Sequence, residues 1–281
     1  MLPMTIPALR TGCQTFTWEM LGPRWTGVPD DLVQAIADAG YAGIEITDTM
    51  IGDYAARPAD FARRLGDAGL SLVAFAFGSP GGFTEPDRQD GDREAARALI
   101  DFAAAFPGAA VSMGSATVVT EGPRQSKFAI AAAIYNRAAE IGRTAGVAVA
   151  IHPSSHHGTL LYTRADYDTL FALLDPQVGW VPDTGHILRG GQSLQETLAA
   201  HRDRIRYIHL KDVDAGGNWR MLGEGVCDLP STVASACAAP LFNGWIVAEE
   251  ESDIAAADPA AADPAAAVRK NRATLHSLLG L

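Results

Sequence analysis

Residues 145–152 read Ala-Gly-Val-Ala-Val-Ala-Ile-His, and this stretch shows the pattern that decides the fold. Ala145 and Gly146 close an amphipathic segment, an uninterrupted apolar run follows at once, and His152 ends that run. Glycine is the usual stop signal of a helix. A continuous apolar run is typical of a parallel strand that helices cover. The stretch therefore predicts a helix, a buried parallel strand and a polar loop, in that order.

The same succession recurs along the whole chain. Eight apolar runs predict strands at 11–15, 43–47, 71–77, 109–113, 147–151, 178–181, 205–209 and 244–248. Helical patterns between and after them include 30–39, 125–145 and a last helix that begins at Asp263-Pro264 and ends at Gly280. Eight strand–helix units of about 35 residues predict an α/β fold, a single (β/α)₈ TIM barrel domain over residues 1–281.

A doubly wound open sheet is the alternative fold for such an alternation. No Gly-x-Gly-x-x-Gly motif opens the first unit, and the polar residues do not gather at one switch point, so the barrel is favoured. The Ala/Asp/Pro-rich stretch 255–267 resembles low-complexity sequence. Because it stands between the last strand and the last helix, we expect it to form an ordered loop.

Composition and charge narrow the classes of function. The net charge of −11 at pH 7 argues against a nucleic-acid partner, because nucleic-acid binding needs a basic surface. Cys13, Cys227 and Cys237 are far apart and are expected to stay reduced. We see neither a signal-peptide pattern nor an apolar run of membrane-spanning length, so a cytoplasmic protein without membrane association is expected.

Polar and ionisable side chains, most of them of metal-ligand type, follow the last four predicted strands. They are His152, His156 and His157 after strand five, Asp183 and His186 after strand six, His209 and Lys211 at strand seven, and residues 249–251, three glutamates, after strand eight. In a barrel these positions meet at one face, where active sites lie. Imidazoles and carboxylates together suit a divalent cation such as Mn²⁺, Mg²⁺, Co²⁺, Fe²⁺ or Zn²⁺.

Each of these residues alone also has an ordinary structural explanation. A histidine at a strand end is often only hydrogen-bonded, and an Asp before Thr-Gly, such as Asp183, is often a helix cap. Residues 249–251 form an acidic run, of which we expect only Glu249 to point into the barrel, since it continues the buried run 246–248. The coincidence on four successive strands is what predicts a metal site.

Six segments carry a likeness to a known family: 12–18, 40–45, 183–186 (Asp-Thr-Gly-His), 204–212, 222–225 (Leu-Gly-Glu-Gly) and 244–249. On these segments the chain resembles the xylose isomerase-like TIM barrel superfamily, in particular its sugar phosphate isomerase/epimerase group, which includes inosose dehydratase and ketose 3-epimerases. The resemblance covers nearly the whole chain, and its second half is the more specific part.

The resemblance implies one divalent metal ion, held by a Glu, an Asp, a His and a Glu after the last four strands. Asp183, His209 and Glu249 match the last three positions. His152 stands where a glutamate is usual, and His156 or His157 is the alternative fourth ligand. Mn²⁺ is the expected ion, with Co²⁺, Mg²⁺ or Zn²⁺ as alternatives.

The histidine at position 152 favours elimination over epimerisation. The resemblance implies that ketose 3-epimerases use two glutamates on opposite faces of the substrate, since inversion needs a base on each face. The histidine-rich loop after strand five instead supplies acids that can protonate a departing hydroxyl group. This loop also resembles the corresponding loop of the inosose dehydratase branch. We expect a metal-dependent lyase or dehydratase acting on a keto-cyclitol or keto-sugar, with a sugar isomerase or ketose 3-epimerase as the alternative. A sugar-binding barrel without activity is a third reading.

The expected roles follow from these positions. Glu249 is the candidate base that removes the proton α to the carbonyl, and His152 and Lys211 are the other candidate catalytic groups. Lys211 follows His209 by two residues, so strand alternation turns both inward. Candidate substrate-binding residues are Trp18 as an apolar wall, Glu45 on a hydroxyl or on Lys211, His186, His157 and Arg220. The expected partners are an uncharged polyol or keto-sugar substrate and a second copy of the chain in a homodimer.

Overall fold

The computed structural model describes residues 8–156, 158–252 and 263–281, and its central element is a ring of parallel strands. The strands are β1 (Arg10–Gln14), β2 (Gly43–Thr47), β3 (Ser71–Phe77), β4 (Ala110–Met113), β5 (Ala148–Ile151), β6 (Gly179–Trp180), β7 (Ile208–Leu210) and β8 (Trp245–Ala248). They are hydrogen-bonded in the order β6-β5-β4-β3-β2-β1-β8-β7. Parallel bridges Trp180–Ile205 and Asp183–His209 join β6 to β7 and close the ring. The predicted (β/α)₈ barrel is confirmed.

Helices connect successive strands and cover the barrel. The main ones are Pro29–Asp38, Pro58–Asp67, Gln89–Ala103, Arg124–Ala145, Arg164–Leu173, Leu194–Ala200, Leu229–Cys237 and Pro264–Leu279. Short helical turns add Phe16–Glu19, Gly22–Arg24, Gly52–Ala56, Thr184–Arg189 and Arg202–Arg204. After β7, the strands Asp212–Val213 and Trp219–Arg220 form an antiparallel hairpin that the sequence patterns did not predict. No helix in the described parts of the chain is long and apolar enough to cross a membrane.

The predicted strand bounds hold to within one residue except at the start of β7, and β6 is shorter than predicted by one residue at each end. The runs 178–181 and 205–209 predicted two longer strands, but the regular ladder covers only Gly179–Trp180 and Ile208–Leu210. Across this seam Arg206 N donates to Trp180 O at 3.0 Å, and His209 N donates to Pro182 O at 2.9 Å. Proline has no backbone N–H to return a bond, so the ladder breaks there.

The last helix begins and ends where the sequence predicts. Asp263 caps it, since its Oδ1 accepts from Ala266 N at 2.9 Å, and Gly280 follows Leu279 with a left-handed φ of 68°. Of the loop expected over 255–267, residues 255–262 lie outside the described residues. The remaining part belongs to the start of the last helix, which begins at Pro264.

Apolar side chains fill the barrel interior near the first residues of the strands. A cluster inside the ring contains Val73, Ala74, Ala110, Ala150, Val181, Tyr207, Trp245 and Val247. Trp245 needs glycine on β2 opposite it, because a Cβ at Gly43 would lie 2.7 Å from the Trp245 ring and from Val73. This packed floor leaves the other end of the barrel, where the strands finish, for polar groups.

Candidate metal centre

Strand alternation carries polar residues to the mouth of the barrel directly above the apolar floor. The inward positions run from Ala150 to His152, from Val181 to Asp183, from Tyr207 to His209 and Lys211, and from Val247 to Glu249. Because alternate residues of a strand share one face, each apolar floor residue is followed two positions later by a functional side chain. The sequence places the site by this rule alone.

Four of these residues bring one ligand atom each into a single group. The candidate ligand atoms of His152, Asp183, His209 and Glu249 all lie within 4.8 Å of one another. His152 Nε2 is 3.4 Å from Asp183 Oδ2 and 3.6 Å from Glu249 Oε2. These are the four residues expected as ligands. Of the two described histidines in this loop, His152 and His156, only His152 belongs to the group.

Two atoms of this group fit a bound cation. His152 Nε2 and Asp183 Oδ2 are buried and have no hydrogen-bond partner among the described residues. Buried polar atoms nearly always have a partner, and an imidazole nitrogen and a carboxylate oxygen that lie 3.4 Å apart without one are the donor types that a divalent metal takes. Asp183 also caps the turn Thr184–Arg189, because its Oδ1 accepts from His186 N at 2.8 Å. One carboxylate thus caps the turn with Oδ1 and contributes Oδ2 to the group of candidate ligand atoms.

His209 is oriented by carboxylates on both ring nitrogens. Its Nδ1 is 2.6 Å from Glu249 Oε2, and its Nε2 is 2.8 Å from Glu45 Oε2. Burial lowers the pKa of His209, but the charges and hydrogen bonds of Glu45 and Glu249 outweigh it and raise the pKa to about 10. Glu45 was expected to bind a hydroxyl or Lys211; its partner in the structure is His209, although it also lines the cavity.

Lys211 is buried, and its ammonium group is surrounded by carboxylates. Its Nζ lies 2.9 Å from Glu249 Oε1 and 3.6 Å from Asp183 Oδ2, and it also contacts Glu251 Oε1. Burial alone lowers the pKa of Lys211, but the three carboxylates raise it above its ordinary value. In return, burial raises the pKa of Glu249 while Lys211 and His209 lower it, and the net effect keeps Glu249 ionised.

Glu251 is a cavity residue that the sequence analysis missed. We expected only one of residues 249–251 to point inward, and that expectation was wrong. Glu249 and Glu251 both line the cavity, while Glu250 turns away and accepts from Asn271 Nδ2 at 2.7 Å. The alternation that relates His209 to Lys211 also relates Glu249 to Glu251, and it persists although β8 ends at Ala248. Burial raises the pKa of Glu251, but Lys211 and His186 bring it down to about 2.

His186 lies behind this group, and contacts on both ring nitrogens hold its ring in place. Its Nδ1 accepts from Ser155 N at 3.0 Å. Nε2 faces Lys211 Nζ at 3.1 Å and Glu251 Oε1 at 3.6 Å. Burial, followed by the Lys211 charge, lowers the pKa of His186.

The other expected substrate-binding residues lie differently. Trp18 is buried and packs edge-on against Trp25, with ring centroids 6.5 Å apart, and it does not line the cavity as described. The aromatic side chains at the wall are Phe16 and Phe77 instead. Arg220 lies on the hairpin and donates to Asp214 Oδ2 at 2.8 Å, away from the cavity. His157 is outside the described residues. Neither Trp18 nor Arg220 therefore occupies its expected place.

The cavity above the candidate metal centre has a volume of about 660 Å³. Hydroxyl groups line the cavity wall at the ends of β2, β3 and β4; they belong to Thr47, Ser79, Ser112, Ser115 and Thr117. Small-molecule sites commonly have volumes of about 300–1,000 Å³ and combine apolar walls with a few polar groups. The volume and the lining suit a hydroxylated small molecule.

Comparison with known proteins identifies the family. Residues 33–276 match the model of the xylose isomerase-like TIM barrel family, and the chain belongs to that family. Inosose dehydratase of Geobacillus kaustophilus (strain HTA426) is 34% identical over 143 residues, which are 44% of this chain and 46% of that protein. The chain thus spans about half the length of the curated relatives that it matches.

Solved structures share the fold at low sequence identity. D-psicose 3-epimerase with D-tagatose from Clostridium cellulolyticum H10 has a TM-score of 0.76 and 14% identity, over 96% of this chain and 98% of that chain. The IolI protein with a bound zinc atom has a TM-score of 0.76 and 14% identity, over 97% of this chain and 98% of that chain. At this identity the likeness establishes the fold.

Proposed function

We propose that this protein is a divalent-metal-dependent lyase of the dehydratase type that acts on a keto-cyclitol or a keto-sugar. One observation carries the proposal: the ligand position after β5 is a histidine, while Glu249 and Glu251, the cavity carboxylates next to Lys211, both come from the end of β8. A carboxylate base on one strand and an imidazole acid on another suit removal of a proton and loss of the neighbouring hydroxyl group, which the imidazole protonates so that it leaves as water. The likeness to inosose dehydratases supports the same reaction.

His152, Asp183, His209 and Glu249 would hold the metal, for which we propose Mn²⁺. When bound, the metal supplies Lewis-acid polarisation of the substrate carbonyl and stabilises the negative charge that develops on its oxygen. Nitrogen and oxygen donors without thiolate favour such an ion over a soft one.

Glu249 would accept the proton α to the carbonyl. Lys211 and His209 keep this carboxylate ionised, and it faces the cavity beside the candidate ligand atoms of His152, Asp183 and His209. The buried ammonium of Lys211, 2.9 Å from Glu249 Oε1, fixes the position of the base.

The departing hydroxyl needs a proton from a second group. With His152 Nε2 directed at Asp183 and Glu249, the neighbouring His156 is the candidate donor. It lines the cavity, its imidazole is largely exposed, and its Nε2 is 4.0 Å from Glu251 Oε2. Glu251 would thus orient the acid at the mouth, while Glu249 acts near the metal.

Proton NMR in D₂O tests the reaction. The Mn²⁺-loaded protein is incubated with an inosose and, separately, with a 3-keto-hexose. We expect elimination of water, seen as new signals of the dehydrated product. Incorporation of deuterium with formation of an epimer and no elimination would replace the lyase by the epimerase.

A further inference from the structure

A second cavity adjoins the candidate active site. Its volume is about 210 Å³, and it shares five lining residues with the main cavity: Asp48, Phe77, Gly78, Ser79 and Pro80. It extends from the ends of β2 and β3 towards the helix Gln89–Ala103, whose Asp92 and Ala95 line its far side. A single water needs only about 10–15 Å³ of such space, so this pocket is large enough for a substantial part of a ligand.

One buried carboxylate in this side cavity lacks a partner. Asp92 is 6% exposed, its Oδ1 accepts from Ser79 Oγ at 2.5 Å, and its buried Oδ2 has no hydrogen-bond partner among the described residues. An unpaired buried carboxylate oxygen is costly, because it loses its hydration without compensation. A ligand hydroxyl that donates to Oδ2 would remove this cost.

Helix stabilisation does not explain why Asp92 is buried. An acidic residue in the first turn of a helix favours the helix dipole whether or not it is buried. Asp90, in the same turn, has a fully exposed side chain and pairs with Arg93 at 3.1 Å. Asp90 therefore meets that need at the surface, and the helix dipole does not account for the buried Asp92 that lines the side cavity.

The lining of the side cavity is that of a carbohydrate site. Asp48, Ser79, Arg88 and Asp92 offer hydrogen-bonding groups of both kinds, and Phe77, Pro80 and Ala95 offer apolar surface. Carboxylates accept from hydroxyls, a guanidinium donates to them, and an aromatic face packs against the C–H groups of a sugar ring. Because opposite charges are both present, an uncharged polyol fits better than a strong anion or cation.

We propose that the physiological substrate is a glycoside, whose keto ring reacts at the metal centre and whose second hydroxylated ring binds in this side cavity. The inference rests on the proposed function for the reacting ring. It extends that function because a single ring leaves the side cavity and Asp92 Oδ2 without a contact.

The test compares the 3-keto form of a glucose disaccharide with 3-keto-glucose as substrates of the Mn²⁺-loaded protein. We expect kcat/KM to be about tenfold or more higher for the disaccharide, the size expected for one hydrogen bond to a charged group. Asp92→Ala should reduce the ratio of the two kcat/KM values by about the same factor. Ala95→Leu, which fills the side cavity at a residue outside the main cavity, should reduce it as well, and Asp90→Ala should leave the ratio unchanged.

The outcomes separate this inference from the proposed function. Turnover of both substrates with equal kcat/KM, and no effect of Ala95→Leu on their ratio, would overturn the side-cavity assignment while the lyase stands. If neither of these substrates nor an inosose reacts, the proposed function fails. Whenever the two 3-keto compounds give no turnover, binding is titrated with unoxidised cellobiose and glucose. Tighter binding of cellobiose that Ala95→Leu removes would still support the second-ring site, and equal binding would contradict it.

Discussion

Lys127 and Lys211 are both buried, but they lie in halves of the barrel with different electrostatics. Lys127 follows β4, and its Nζ pairs with one carboxylate, Glu85 Oε1, at 2.6 Å, and with Thr120 Oγ1 at 2.9 Å. Lys211 follows β7 and contacts three carboxylates, those of Asp183, Glu249 and Glu251. The positive charge of Lys127 is balanced by one carboxylate, whereas the positive charge of Lys211 faces three.

This difference distinguishes the structural ion pair of Lys127 from the surroundings of Lys211, which are short of positive charge. The pair of Lys127 with Glu85 joins the helix Arg124–Ala145 to the loop after β3 and is complete as it stands. Around Lys211 the negative charge is in excess, and Glu45 adds a further carboxylate behind His209. Buried charge that is not balanced is strongly unfavourable, so this half of the barrel is stabilised when a divalent cation binds.

Loss of a ligand carboxylate should have the largest effect. Asp183→Asn and Glu249→Gln are expected to reduce bound Mn²⁺ from one per chain to near zero, and to lower kcat/KM on a keto-cyclitol by about 10³-fold or more. Glu85→Gln, the matched change beside Lys127, should keep the full metal content. Elemental analysis after gel filtration measures the metal, and full occupancy in both site variants would show that these carboxylates are not ligands.

Removing either lysine should distinguish the two halves by stability. In the metal-free protein, Lys211→Met is expected to lower the free energy of unfolding by about 3–5 kcal/mol, because three buried carboxylates lose their counter-charge. With saturating Mn²⁺ the loss relative to wild type should be smaller, since the cation supplies positive charge. Lys127→Met should cost the same with and without Mn²⁺. Urea unfolding followed by circular dichroism measures both, and an equal loss for Lys211→Met under the two conditions would contradict this comparison.

Glu45 should affect the metal without binding it. A carboxylate on the second nitrogen of a ligating histidine fixes the ring and raises its basicity, so Glu45→Gln is expected to weaken Mn²⁺ binding by about 10–100-fold. Glu19→Gln is the control on the same cavity wall, where Glu19 Oε2 accepts from Thr47 Oγ1 at 2.7 Å. Competition with a metal-chelating dye gives both affinities. Identical values for the two variants would remove Glu45 from the centre.

The smallest expected effect is a pH dependence of stability that comes from His201, a histidine remote from both lysines. Burial, followed by the Arg164 charge, lowers the pKa of His201 to about 4, where it packs against Phe171 and Trp180. Because the folded pKa is depressed, this contribution to stability is complete above the unfolded pKa and is lost as pH falls from about 6.5 to 4. We expect the free energy of unfolding to fall by about 1–2 kcal/mol over this range after solvent screening. In His201→Gln this pH dependence should be weaker, as measured by unfolding at a series of pH values. A variant as sensitive to acid as wild type would refute this assignment.

The sequence predicted the fold well because the barrel repeats one local rule. Each buried apolar run ends in a polar residue, so the positions of Asp183, His209 and Lys211 followed from alternation. The lengths of β6 and β7 were overestimated, since the apolar pattern does not show that Pro182 interrupts the hydrogen-bond ladder between them.

The site was less predictable where it depends on contacts between distant segments. Glu251 was missed because the alternation was assumed to stop with the strand. The partner of Glu45 depends on which strands are neighbours in space, which a single sequence does not show. Trp18 and Arg220 were expected in the cavity from their residue types, but Trp25 and Asp214 hold them elsewhere.

We propose that four residues after the last four strands hold one divalent metal ion, and anomalous diffraction from crystals soaked in Mn²⁺ tests this directly. One strong peak is expected within bonding distance of His152 Nε2, Asp183 Oδ2, His209 Nδ1 and a carboxylate oxygen of Glu249. A peak elsewhere in the cavity, or no peak while His152 Nε2 and Asp183 Oδ2 remain free, would contradict it.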